Sequence, residues 1–193
     1  MLRTGRKWLG AFMLAVLLAL PGVSWGASFD YGNFNGELGL RFGYGRSTHK
    51  ASVHLYSLLP RWGIFLVRPG HSVLGGVGLS FVVEGIVSIA EAENTGSELG
   101  FTPMLKVTLP LGQAVMLYLE GGAGMIAESF DSPAVAHTFN FTPQVGAGVD
   151  IALMPRLGLT LAYRFRHSSN AGIYDENPAF NCHFVHAGVT YYY

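Results

Sequence analysis

Phe139-Asn140-Phe141-Thr142-Pro143-Gln144-Val145-Gly146-Ala147-Gly148-Val149-Asp150-Ile151 alternates apolar with small or polar residues, without a break. Successive side chains of an extended strand point to opposite faces. One face therefore carries Phe139, Phe141, Pro143, Val145, Ala147, Val149 and Ile151, and the other Asn140, Thr142, Gln144, Gly146, Gly148 and Asp150. A soluble sheet would dress the second face with Lys, Glu and Asp for water. Here it holds glycines, a hydroxyl and amides around a single carboxylate, which suits a crowded interior.

The same period runs through most of the chain. Leu99, Phe101, Pro103, Leu105, Val107 and Leu109 oppose Gly100, Thr102, Met104, Lys106 and Thr108. Within Val115 to Ala127, Leu117, Leu119, Ala123 and Met125 oppose Tyr118, Glu120, Gly122 and Gly124. Leu157, Leu159, Leu161, Tyr163 and Phe165 oppose Gly158, Thr160, Ala162, Arg164 and Arg166. Leu38 to Tyr44, Val53 to about Ile64, Val73 to about Ile89 and about Asn181 to Tyr193 complete a set of about eight strands. The small-residue face collects charges of both signs, Arg41, Glu84, Lys106, Glu120, Asp150, Arg164 and Arg166. Such charges pair inside a narrow barrel, whose interior is just wide enough for side chains to fill, while the apolar face meets lipid. The expected fold is all-β, an eight-stranded antiparallel transmembrane (outer-membrane) β-barrel.

Composition agrees. The chain has 193 residues, of which 50% are hydrophobic, 12% charged and 26 glycine. Beyond the N-terminus no apolar run approaches the roughly 20 residues of a membrane-spanning helix. Arg3, Arg6 and Lys7 followed by the apolar run Trp8 to Leu20, with Ser24-Trp25-Gly26 before Ala27, predict a cleaved secretory signal peptide over residues 1–26 and a barrel domain over 27–193. Removing three cations leaves nine Lys and Arg against 12 acids, a net charge of 9 − 12 = −3. This balance offers nucleic acid no basic surface. Cys182 is the only cysteine, which excludes an intramolecular disulfide and a cysteine-based metal cluster.

His167-Ser168-Ser169-Asn170-Ala171-Gly172 follows the seventh segment. By parity His167 and Ser169 share the lipid face with Phe165, and Ser168 takes the other. With both chain ends in the periplasm the seventh strand climbs outward, so the pair lies at the outer leaflet. A Ser hydroxyl needs a neighbouring base to become a nucleophile, and i, i+2 spacing on a strand supplies one. The competing reading is a plain polar turn. His183 shares the lipid-facing parity and reads as an interfacial or hydrogen-bonding histidine.

Tyr163-Arg164-Phe165-Arg166-His167-Ser168-Ser169-Asn170-Ala171-Gly172-Ile173, followed by Asn177-Pro178, resembles the signature of the lipid A deacylase family (PagL-type, acyloxyacyl hydrolase-like), and Phe141 to Gly148 resembles the strand before it. The resemblance implies an enzyme that removes the 3-linked acyl chain of lipid A in lipopolysaccharide, without a metal or organic cofactor. It makes His167 the general base, Ser169 the nucleophile, and the Asn170 side chain and Gly172 N–H the oxyanion hole. The family has a Glu where this chain has Asn181. Asn181 therefore stands as third member of the triad, with Asp175 and Glu176 as substitute acids. Arg46 and Lys50, with His49, are candidates for lipid A phosphates, or else a solvated loop. His186, Gly188, Tyr191 and Tyr193 resemble the C-terminal assembly signal of outer-membrane barrels, which implies the barrel assembly machinery as a partner alongside outer-membrane lipids; a homodimer stays open. The alternative to an enzyme is a structural or lipid-binding barrel whose site has decayed at Asn181, and a porin is a third reading.

Overall fold

A computed structural model describes residues 27–48, 52–70, 76–133 and 135–193. The expected leader over 1–26, His49 and Lys50 lie outside the described residues. Eight strands follow one another: β1 Gly36–Ser47, β2 His54–Val67, β3 Gly78–Glu91, β4 Thr95–Leu111, β5 Val115–Glu128, β6 Phe139–Met154, β7 Leu157–Ser168 and β8 Phe180–Tyr192. Each pairs antiparallel with the next, and β1 pairs with β8, so the sheet closes on itself. Closure satisfies every strand edge, the condition for crossing a bilayer with sheet. The described third strand starts at Gly78, and the expected start at Val73 lies outside the described residues.

Burial is inverted relative to a soluble protein. Phe42 is 66% exposed, Leu99 65% and Leu119 64%, whereas Arg41, Glu84, Lys106 and Asp150 are 0% exposed. Apolar outside and charged inside is the partition that lipid imposes.

Three layers account for most of the interior, beside a small apolar cluster of Leu59, Ile86 and Ile126 and the ion pair of Arg166 with Glu98. At the end that holds Ala27 and Tyr193, Phe29, Phe34, Met116, Ala152 and Tyr192 form an apolar plug. Residues 27–35 contribute to it because their backbone is tied to two turns, Phe29 N–H to Gln113 O at 2.7 Å and Asp30 N–H to Pro155 O at 2.9 Å. Tyr192 belongs to this plug, stacked on Phe34 at 4.5 Å and donating to Asp150. The middle layer is ionic. Arg41, Arg61, Arg164 and Lys106 pair with Glu37, Glu84, Glu120 and Asp150, as parity predicted for six of the eight; Glu37 and Arg61 are additions. At the outer end Val53, Leu55, Ala90, Phe130, Phe180, Cys182 and Phe184 form a second apolar plug.

Glycine on the inner face follows from close approach of strands. A Cβ added at Gly122 would lie 2.0 Å from the Pro103 carbonyl oxygen. No larger residue fits there.

Candidate active site on the outer wall

β7 carries the site because its last turn of alternation brings polar side chains onto the lipid-facing wall. Arg164, Arg166 and Ser168 are buried at 2%, 3% and 2%, and Tyr163 is 48% exposed. His167 and Ser169, in phase with Tyr163, are half-buried on the outer wall. The parity argument therefore holds for both. Ser169 sits one residue beyond β7 and is pinned by a two-way backbone bridge to Phe141 of β6, at 2.7 and 3.1 Å.

His167 stands directly opposite Asn181 in the β7–β8 ladder, and its Nδ1 meets Asn181 Oδ1 at 2.7 Å. An amide oxygen only accepts, so Nδ1 carries the proton and Nε2 keeps its lone pair. Asp175 and Glu176 lie exposed in the loop between β7 and β8, and His167 is bonded to Asn181 rather than to either carboxylate. Among the described residues no hydrogen bond joins the Ser169 hydroxyl to His167.

The loop after Ser169 folds into a tight turn. Ile173 N–H donates to Asn170 O at 3.2 Å, and both central residues have positive φ, Ala171 at 54° and Gly172 at 78°. Two positive values in succession match a type I′ turn. Asn170, 1% exposed, organises it: Gly172 N–H donates to its Oδ1 at 2.9 Å, and its Nδ2 donates to the Glu176 carbonyl at 2.7 Å. Asn177 Oδ1 accepts the Asn170 backbone N–H at 3.0 Å. The Gly172 N–H and one Asn170 amide proton, the expected oxyanion donors, are thus satisfied within the loop. Asn177 was part of the sequence signature without a role; its role here is to hold the residue that holds the turn.

Around the pair the outer wall is unusually polar. Arg46 is exposed on β1 between His54 of β2 and His183 of β8, its two ladder partners. His54 bonds Tyr44 Oη at 2.7 Å, and His183 bonds Tyr163 Oη. The hydrogen-bonding reading of His183 agrees with this contact. Further from the outer rim the wall has a shallow apolar depression lined by Leu117, Ala147, Val149, Leu161, Tyr163 and Val185.

Comparison with solved structures shows the same fold in "Crystal structure of the outer membrane enzyme PagL", at TM-score 0.59 and 17% identity over 78% of this chain and 97% of that one. The N-terminal β-barrel domain of Pseudomonas aeruginosa OprF aligns at TM-score 0.44 and 12% identity over 82% of this chain and 99% of that domain. The curated proteins give no match. A family model described as lipid A 3-O-deacylase (PagL) matches residues 61–190, a span that contains β7, the turn and Asn181. With a lipid-facing wall, a closed eight-stranded order and that match over two thirds of its length, the chain is an outer-membrane barrel that belongs to the lipid A 3-O-deacylase (PagL) family.

Proposed function

We propose that this barrel hydrolyses the ester of the 3-linked acyl chain of lipid A, with Ser169 as nucleophile and His167 as general base. The observation that carries the reading is His167 on the lipid-facing wall beside Ser169, its Nδ1 held by Asn181 so that Nε2 is free to accept a proton. Ser169 Oγ attacks the ester carbonyl while Nε2 takes the hydroxyl proton. Collapse of the tetrahedral intermediate breaks the acyl–oxygen bond, and His167 returns the proton to the departing sugar oxygen. Water then attacks the acyl-Ser169 ester by the same proton path and releases the fatty acid.

The oxyanion needs donors aimed at it. Asn170 Nδ2 has a second N–H besides the one given to Glu176, and Gly172 N–H reaches the oxyanion by leaving Asn170 Oδ1. The substrate's position suits the wall: its acyl chain lies along apolar β6 and β7, and its phosphates lie toward Arg46, with Lys50 a further candidate outside the described residues. We assign residues 1–26 to a cleaved leader that delivers the barrel for export. A second reading, a lipid-binding barrel without turnover, is favoured by one observation, the amide of Asn181 in a position where the family resemblance calls for a carboxylate.

Mass spectrometry of lipid A from cells expressing wild type, Ser169→Ala or His167→Asn separates the two. Loss of one 3-linked acyl chain with wild type alone is expected. Unaltered lipid A in cells with correctly folded wild-type barrel overturns the hydrolase reading in favour of binding.

A further inference from the structure

Arg166 and Ser168 flank His167 in β7 and, out of phase with it by one residue, face the lumen. Each is held there by a carboxylate from elsewhere in the barrel. Glu98 of β4 takes Arg166 in a two-pronged ion pair, Oε1 to Nη2 at 2.6 Å and Oε2 to Nη1 at 3.2 Å. Glu128 of β5 accepts the Ser168 hydroxyl at 3.1 Å and the Asn140 amide at 2.6 Å, and Asn140 is itself tied to the His137 carbonyl at 2.9 Å. The Arg166 guanidinium also lies over the Phe184 ring, 4.9 Å from its centroid. Neither β4 nor β5 is a ladder neighbour of β7.

Glu98 and Glu128 are direct ladder partners, and both are buried, at 1% and 2% exposure. Two acidic side chains directly opposite one another are not a pairing that the sheet's own stability favours. What this arrangement accomplishes is specific in position: the backbone on both sides of His167 is fixed from inside, while His167 itself points out. A ladder alone fixes a strand along two edges. A tether through the lumen adds a third restraint, on the inner face at Ser168, between the two residues of the outer-wall pair.

We infer that Glu98 and Glu128 are positioning residues for the outer-wall site, with Ser168 the link through which Glu128 fixes the backbone between His167 and Ser169. The inference rests on the hydrolase reading for its effect on rate but not for its effect on the strand. The test uses the refolded barrel in detergent micelles with lipopolysaccharide, comparing wild type, Ser168→Ala, Ser168→Thr, Glu128→Ala and the Ser168→Ala/Glu128→Ala double variant. Because misplacing a reacting group by an ångström costs on the order of a hundredfold, each single variant lacking the link is expected to lose about tenfold or more in kcat, with KM held within about twofold. The double variant falls no further than the worse single one, since both break the same link, and Ser168→Thr, which keeps the hydroxyl, restores turnover.

Amide hydrogen exchange over residues 166–171 gives a readout without turnover. Exchange accelerates in Ser168→Ala and Glu128→Ala and stays at the wild-type rate in Ser168→Thr. Wild-type kcat and exchange in Ser168→Ala, additive losses in the double variant, or a Ser168→Thr as impaired as Ser168→Ala each overturn the inference. If wild type releases no fatty acid, the hydrolase reading falls and the exchange rates alone decide whether the tether exists.

Discussion

At the scale of single residues the proposed reaction turns on Asn181. Its Oδ1 at 2.7 Å from His167 Nδ1 selects the tautomer that leaves Nε2 available. It does not supply the negative charge that stabilises an imidazolium, and in a Ser-His-Asp triad exchanging the carboxylate for an amide lowers kcat by about 10⁴. Asn181→Glu is therefore expected to raise kcat at least tenfold, with that factor as the ceiling. Asn181→Ala, which leaves Nδ1 without its acceptor, lowers it. Initial rates of fatty-acid release from lipopolysaccharide by the refolded variants measure both, and an Asn181→Glu no faster than wild type would show that Asn181 does not limit the reaction. Period two was enough to put His167 and Ser169 on the lipid side, because a strand's faces are fixed by counting. The contact with Asn181 needed the hairpin register as well, and that depends on how many residues the intervening loop consumes.

At the scale of the element, the loop of residues 169–179 shows why the proposed oxyanion donors are harder to read from sequence. Their identity was visible in the family signature, but their partners depend on the signs of φ at Ala171 and Gly172, and an alanine at 54° is not announced by its residue type. The left-handed pair turns the Asn170 carboxamide back onto its own loop, where it bonds Gly172 and Glu176. Asn177 closes the arrangement from the far side by accepting the Asn170 N–H. Asn177→Ala removes a hydrogen bond worth about 1 kcal/mol and frees the turn, while the ladder from β1 to β8 is untouched. Turnover is expected to drop about tenfold with the thermal unfolding temperature of the barrel unchanged, since misplaced donors cost rate without weakening the sheet. A parallel fall in unfolding temperature, followed by the mobility shift of heated samples on a denaturing gel, would instead make Asn177 part of the barrel's framework.

At the scale of the whole molecule the barrel is a membrane-facing apolar surface wrapped around a sealed ionic core. Which charges face the lumen was legible from parity for Arg41, Glu84, Lys106, Glu120, Asp150, Arg164 and Arg166. Which charges meet was not, because the partners sit on opposite walls: Arg41 of β1 pairs with Glu120 of β5, and Glu84 of β3 with Arg164 of β7. Those contacts follow from closure and shear, properties of the complete sheet that no single segment contains. Glu37, Glu98 and Glu128 were missed because they sit at segment ends, and Arg61 because the second segment alternates less cleanly. The central layer balances, four cations with four carboxylates, and Glu120 is its hub, touching Arg41 at 3.1 Å, Arg61 at 2.7 Å and Arg164. Glu120→Ala leaves Arg41 without its ion pair and Arg61 and Arg164 dependent on Glu84 and Glu37, and breaking a buried pair by removing one partner costs about 3–5 kcal/mol. Glu120→Gln keeps the shape and one acceptor oxygen but turns the other into a donor facing guanidinium N–H groups and removes the charge, so it is expected to destabilise, though less than the alanine. Urea unfolding in detergent micelles, followed by tryptophan emission, ranks the three proteins. Equal stability of Glu120→Ala and wild type would mean that water enters the lumen to solvate the arginines, and the sealed core between two apolar plugs would then be the wrong description of the barrel.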